Sequence, residues 1–226
     1  MAGRVLAITG AFGVLGAAVA KAAAAQGVRV ALIDFAKDGP AVDGALALGG
    51  VDLTDAAQAA TAIDAVAQHF GGLDGLLNIA GGFAWQTLAD GAHDTWPGLY
   101  RLNVVTAANT SRAAIPHLKA SAAGRIVNVG ANAALKAGMG MGAYGASKAG
   151  VHALTQSLAE ELKGDNVTVN AVLPSILDTP ANRADMPNED PAKWVSPEAL
   201  AAVILFLASE ASSAVTGALI PVTGRV

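Results

Sequence analysis

Thr9-Gly10-Ala11-Phe12-Gly13-Val14-Leu15-Gly16 is the stretch that decides the fold. It follows Val5 to Thr9, a short apolar run of strand type, and opens an alanine-rich helical stretch from Val14 to Gln26 that Gly27 ends. Glycines at this junction permit a tight turn, let backbone approach a pyrophosphate, and bring helix close to strand. The phosphates then meet the exposed N–H groups and positive end of the helix. Gly10, Phe12, Gly13, Val14, Leu15 and Gly16 are therefore expected to cradle a dinucleotide. The glycine spacing alone is weak evidence; its place between strand and helix gives it weight.

The next strand, Val28 to Ile33, ends at Asp34. An acid at that point can bond the adenosine ribose hydroxyls and repels a 2′-phosphate. Neither Ala11 nor Phe12 supplies a neutralising cation, so NAD(H) is expected over NADP(H), which stays open because Lys37 is near in sequence.

Strands and helices alternate from there onward. Asp52 to Phe70 reads as a helix with its cap in Asp52-Leu53-Thr54-Asp55 and its end at Gly71-Gly72. Leu73 to Ile79 and Arg125 to Val129 read as strands, with one helix from Thr95 to Leu118 between them. Met141 to Leu162 is a further helix and Val167 to Leu173 a further strand. Ser196-Pro197-Glu198 caps a helix to Ser209, and Ala218 to Val222 is the last strand. The strands are short and continuously apolar, as both-face burial demands. The pattern predicts one α/β domain over residues 1–226, a Rossmann-type doubly wound parallel sheet flanked by helices. Pro180 to Val195 lacks periodicity and is expected to be a binding loop or lid, or simply mobile.

Composition narrows the function. With 14 Lys and Arg against 18 Asp and Glu, and no run of like charge, the chain has no footprint for a nucleic-acid backbone. No cysteine is present, which removes thiolate chemistry and suits a cytoplasmic enzyme. The glycines and Thr9 break the apolar N-terminal stretch, so neither a signal peptide nor a membrane span is expected. The four histidines show no ligand spacing, and no metal site is expected.

Tyr144-Gly-Ala-Ser-Lys148 puts a phenol and an ammonium on one helix face. An ammonium close to a phenol favours the phenolate, so Tyr144 is expected to be a more acidic acid/base group than a free tyrosine.

Taken together, Thr9 to Gly16, Asp34, Asp52-Leu53, Asn78-Ile-Ala-Gly81, Asn103, Gly124 to Val129, Tyr144 to Lys148 and Pro174 to Thr179 resemble the short-chain dehydrogenase/reductase family over essentially the full length. The resemblance implies that Asp52 and Leu53 hold adenine and that Asn78, Ala80 and Gly81 line the cofactor path. It implies that Lys148 holds the nicotinamide ribose, that Asn103 anchors a proton-relay water, that Ile176 and Thr179 bind the carboxamide, and that Pro174 is also cofactor-binding. It also implies a homodimer or homotetramer packed through the helices at Thr95–Leu118 and Met141–Leu162.

The sequence departs from that family where a serine normally bonds the substrate oxygen. Thirteen residues before Tyr144 stands Ala131, followed by Asn132. Residues 130–183 resemble the dihydropteridine reductase branch, which similarly lacks the serine, and Ala80-Gly81-Gly82-Phe83 is similar too. The expectation is a Tyr-Lys oxidoreductase for a carbonyl or imine, a quinonoid dihydropterin among the candidates, with Phe83 and Trp85 beside the substrate. Two alternatives stand: a non-catalytic NAD-binding sensor, and an alcohol dehydrogenase in which Asn132 replaces the serine.

Overall fold

The computed structural model describes residues 1–226. Seven parallel strands form one sheet in the order β3-β2-β1-β4-β5-β6-β7. They are β1 (Val5–Thr9), β2 (Arg29–Ile33), β3 (Leu46–Leu48), β4 (Gly75–Asn78), β5 (Gly124–Val129), β6 (Val167–Pro174) and β7 (Leu219–Val222). Helices α1 (Val14–Ala24) and α7 (Pro197–Leu207) bury their apolar residues against one face of the sheet. Helices α2 (Ala56–Phe70), α4 (Thr106–Ala120) and α5 (Gly142–Leu162) cover the other. Covering both faces is what makes β1, β4 and β6 buried along their whole length.

The chain leaves β1 toward β2 on one side, and β4 lies on β1's other side. Strand order reverses at that pair, and a crevice opens beyond their carboxyl ends, where α/β sheets place their ligands. Thr9 holds the crevice in shape: its Oγ1 accepts the amides of Ile79 and Ala80 at 3.1 Å each.

Local chemistry accounts for the helix ends. Asp55 caps α2 by accepting from the amides of Ala57 and Gln58, and Gly71 ends it at φ +79°. Ser196 caps α7 through the Ala199 amide, with Pro197 at the first helical position. The expected start of α2 at Asp52 is thus too early, because Asp52 turns back to accept from Thr54 instead.

Two further expectations change. The helix foreseen over Thr95–Leu118 is α3 (Thr95–Tyr100), a widened π turn (Arg101–Val105) and then α4. β3, which the sequence reading lacked, is a half-exposed edge strand of three residues, and no helix joins it to β2. The aperiodic segment from Pro180 holds a short helix α6 (Pro180–Asp185), capped by Thr179, and a 3₁₀ turn at Pro191–Lys193.

Candidate active site

A cleft of about 1040 Å³ runs along the carboxyl edge of the sheet. At one end it is lined by Asp34, Asp52 and Leu53, in the middle by the glycine loop with Ala80 and Gly81, and at the other end by Phe83, Tyr144, Lys148 and Thr179.

The glycine loop is built for close approach. Gly10 lies at φ +63°, and a Cβ there would fall 2.8 Å from the Ala80 backbone. Gly13 precedes α1 with no side chain capping the helix, so first-turn N–H groups stay available. That arrangement fits a pyrophosphate. Asp34 Oδ2 accepts from the Phe12 amide at 2.9 Å and Oδ1 from Ala36 at 3.0 Å, which fixes the carboxylate at the cleft wall. Lone pairs remain for ribose hydroxyls. Lys37, the cation foreseen as a complication, lines a separate smaller cavity.

Asp52 accepts from the Thr54 hydroxyl at 2.7 Å and its amide at 2.9 Å. Those bonds, the side-chain one first, hold its carboxyl below the ordinary range. Asn109 of α4 donates to the carbonyls of Leu53 and Thr54 and so braces the same turn.

At the far end α5 presents Tyr144 and Lys148 on one face. The Phe83 ring meets the Tyr144 ring edge-on at 4.9 Å between centroids. Lys148 is buried, and its Nζ donates to the Val129 carbonyl at 2.8 Å. The expected acidic phenol is not what these surroundings make. Burial pushes Tyr144 up to about 12, and burial pulls Lys148 down to about 8. Desolvation disfavours the charged form of each group.

The family model for short chain dehydrogenases matches residues 4–190. The chain belongs to the short-chain dehydrogenase family. It is similar to a 3-oxoacyl-[acyl-carrier-protein] reductase of Thermotoga maritima, 32% identical over 98% of this chain and 97% of the relative. A meso-2,3-butanediol dehydrogenase of Serratia marcescens is 33% identical over 98% and 93%. Among solved structures, carveol dehydrogenase from Mycobacterium avium in complex with NAD superposes with a TM-score of 0.87 at 25% identity, covering 99% of this chain and 97% of that one. This short-chain dehydrogenase is accordingly an NAD(P)-dependent oxidoreductase.

Not every residue expected in the dehydrogenase site lines the cleft itself. Asn78 is a buried strut, not a wall of the cofactor path: its Nδ2 donates to Ser111 and Asn128, and its Oδ1 accepts from Thr110. Asn103, carried by the π turn, is buried as well. It donates to the Gly82 carbonyl and Ser147 Oγ and accepts from the Gly82 amide, and a Cβ on Gly81 would fall 2.5 Å from its Oδ1. Pro174 ends β6, and Leu177 lines the cleft where Ile176 was expected. The Ile176 carbonyl instead accepts the Val195 amide.

The substrate side changes too. Ala131 is buried, and the half-buried Asn132 beside it opens a 3₁₀ turn. The backbone is extended at Ala131 and turns immediately after it. Trp85 is off the cleft wall, with its indole N–H donating to the Met139 carbonyl at 2.9 Å. Arg101, on the cleft wall with a charge that Asp52 feels, went unnoticed in the sequence. Its only signal is its place two residues before Asn103.

Proposed function

We propose that this chain reduces a carbonyl or conjugated imine with NADH, Tyr144 giving the proton and Lys148 steadying the phenolate as it forms. The observation that carries this is the shared cleft: glycine loop and Asp34 at one end, Tyr144 and Lys148 at the other. Asp34 on that wall, with Lys37 outside it, supports NADH over NADPH. Bound there, the reduced nicotinamide supplies the hydride.

Reduction is the direction to test first: a phenol held near 12 is protonated at neutral pH and can give its proton. The Lys148 ammonium, near 8, is still mostly charged at pH 7 and lies at the same end of the cleft. It has two N–H groups left beyond the bond to Val129, and these suit a ribose hydroxyl.

Ala131 shapes the substrate. A missing preorganised donor commonly costs roughly 2.7–4 kcal/mol of transition-state stabilisation. Ketone or alcohol chemistry is the family's range. A ring imine polarised by conjugation asks less of that donor, and the resemblance of residues 130–183 puts a quinonoid dihydropterin among the substrates to try. The same reading includes assembly as a homodimer or homotetramer, open to sedimentation.

A screen of NADH oxidation with ketones and a quinonoid dihydropterin tests the proposal. Turnover that a Tyr144→Phe variant loses by about a hundredfold or more, with NADH binding kept, is the expected result. Ala131 also supports a second reading, a cofactor-binding sensor. Tight NADH binding without turnover on any substrate would decide for it.

A further inference from the structure

We infer that His152 is a positioning residue: its imidazole accepts the Ala131 amide and, with Lys148, clamps the end of β5 under the substrate. Tyr144, Lys148 and His152 follow one another at intervals of four on α5 and so share a face. Lys148 Nζ donates to the carbonyl of Val129, and His152 Nε2 accepts the amide of Ala131 at 3.4 Å. The two side chains therefore hold the backbone on either side of Gly130. Behind it, the Gly130 amide donates to the Val172 carbonyl at 2.9 Å.

Gly130 is part of the device. A Cβ there would fall 2.5 Å from His152 Nε2 and 2.7 Å from Cδ2, so the ring occupies the space a side chain would need. An acceptor at Nε2 requires the proton on Nδ1. Burial, helped by the Lys148 charge, lowers the imidazole's proton affinity and keeps Nε2 free to accept. The family's serine would sit at Ala131, whose side chain is buried and carries no donor. At this strand end His152 and Lys148 hold the backbone just beyond Val129, which lines the cleft with Tyr144.

The kinetic readout rests on the proposed reduction; the clamp itself is read independently through the Ala131 amide. His152→Leu keeps bulk and removes the acceptor, whereas His152→Gln can offer a carbonyl oxygen near the place of Nε2. Both are made in the full chain. Loss of registration at a reacting centre is felt in kcat, so His152→Leu is expected to lower it about tenfold or more with NADH affinity changed less than about threefold. His152→Gln should recover most of the loss. Hydrogen exchange at the Ala131 amide should be slow in the natural protein and in His152→Gln, and fast in His152→Leu.

Equal kcat in His152→Leu, or equally slow exchange there, overturns the clamp. So does a His152→Gln variant that folds and is as impaired as His152→Leu. If the natural protein oxidises no NADH with any substrate, the proposed function fails and the exchange comparison still decides the clamp.

Discussion

Gly10 turns against Ala80 so closely that a Cβ on Gly10 would fall 2.8 Å from both the Cα and the amide nitrogen of Ala80. The loop after β1 and the loop after β4 are thereby pressed together at the point where the strand order reverses. Thr9 adds the polar half of this contact, through the Ile79 and Ala80 amides.

Gly10→Ala should therefore open the crevice at its centre. A left-handed φ of +63° costs an ordinary residue roughly 1–2 kcal/mol before any collision is counted. The collision is with backbone, which cannot rotate away. NADH affinity, followed by fluorescence titration, is expected to fall at least about tenfold, with a melting point several degrees lower. Unchanged affinity would show that the phosphates do not lie along this loop.

Asp34 offers a test of cofactor choice. Its carboxylate is anchored by Phe12 and Ala36 amides, so it cannot swing aside to admit a 2′-phosphate. Asp34→Asn keeps one acceptor oxygen and removes the charge. The ratio of kcat/KM for NADPH to that for NADH should rise about tenfold or more, because a buried or half-buried charge repulsion of even 1.4 kcal/mol is tenfold. An unchanged ratio would place the ribose elsewhere on the cleft wall.

The backbone of this architecture was legible because each signal is local. Val5–Thr9 matches the expected strand residue for residue, and Asp55, Gly71 and Ser196 mark helix ends by their own side chains or dihedrals. β3 escaped because three half-exposed residues between glycines carry no period. The π turn escaped because one extra residue barely disturbs a 3.6 pattern, although it sets the direction of Asn103. At the site, motif spacing found the residues along the cleft. It could not tell a wall from a strut, and Asn78 is a strut because its three partners come from β5 and α4, far along the chain. The acidity of Tyr144 was misjudged for a related reason. Spacing reports that an ammonium is near but says nothing of how much water burial removes from the phenol.

The buried Lys148 and the half-buried Tyr144 give a pH dependence whose sign can be worked out. Lys148 titrates near 8 in the folded chain, against about 10.4 when unfolded. Between those values the unfolded chain holds the proton and the folded one does not, so stability rises with pH by up to roughly 1.4 kcal/mol per pH unit. Below pH 8 both forms are protonated and the burial cost is present in full. Tyr144 acts the other way and later: its folded value near 12 lies above the free one, so its contribution falls only as pH climbs past about 10. Urea unfolding of the natural chain and of Lys148→Met at pH 7.5, 8.5 and 9.5 separates the groups. The natural chain should gain stability relative to the variant across that range, with the variant more stable at the low end if its thioether packs where the ammonium was. Parallel curves would mean that Lys148 keeps its hydration in the fold, and the buried ammonium at the end of the cleft would be lost with it.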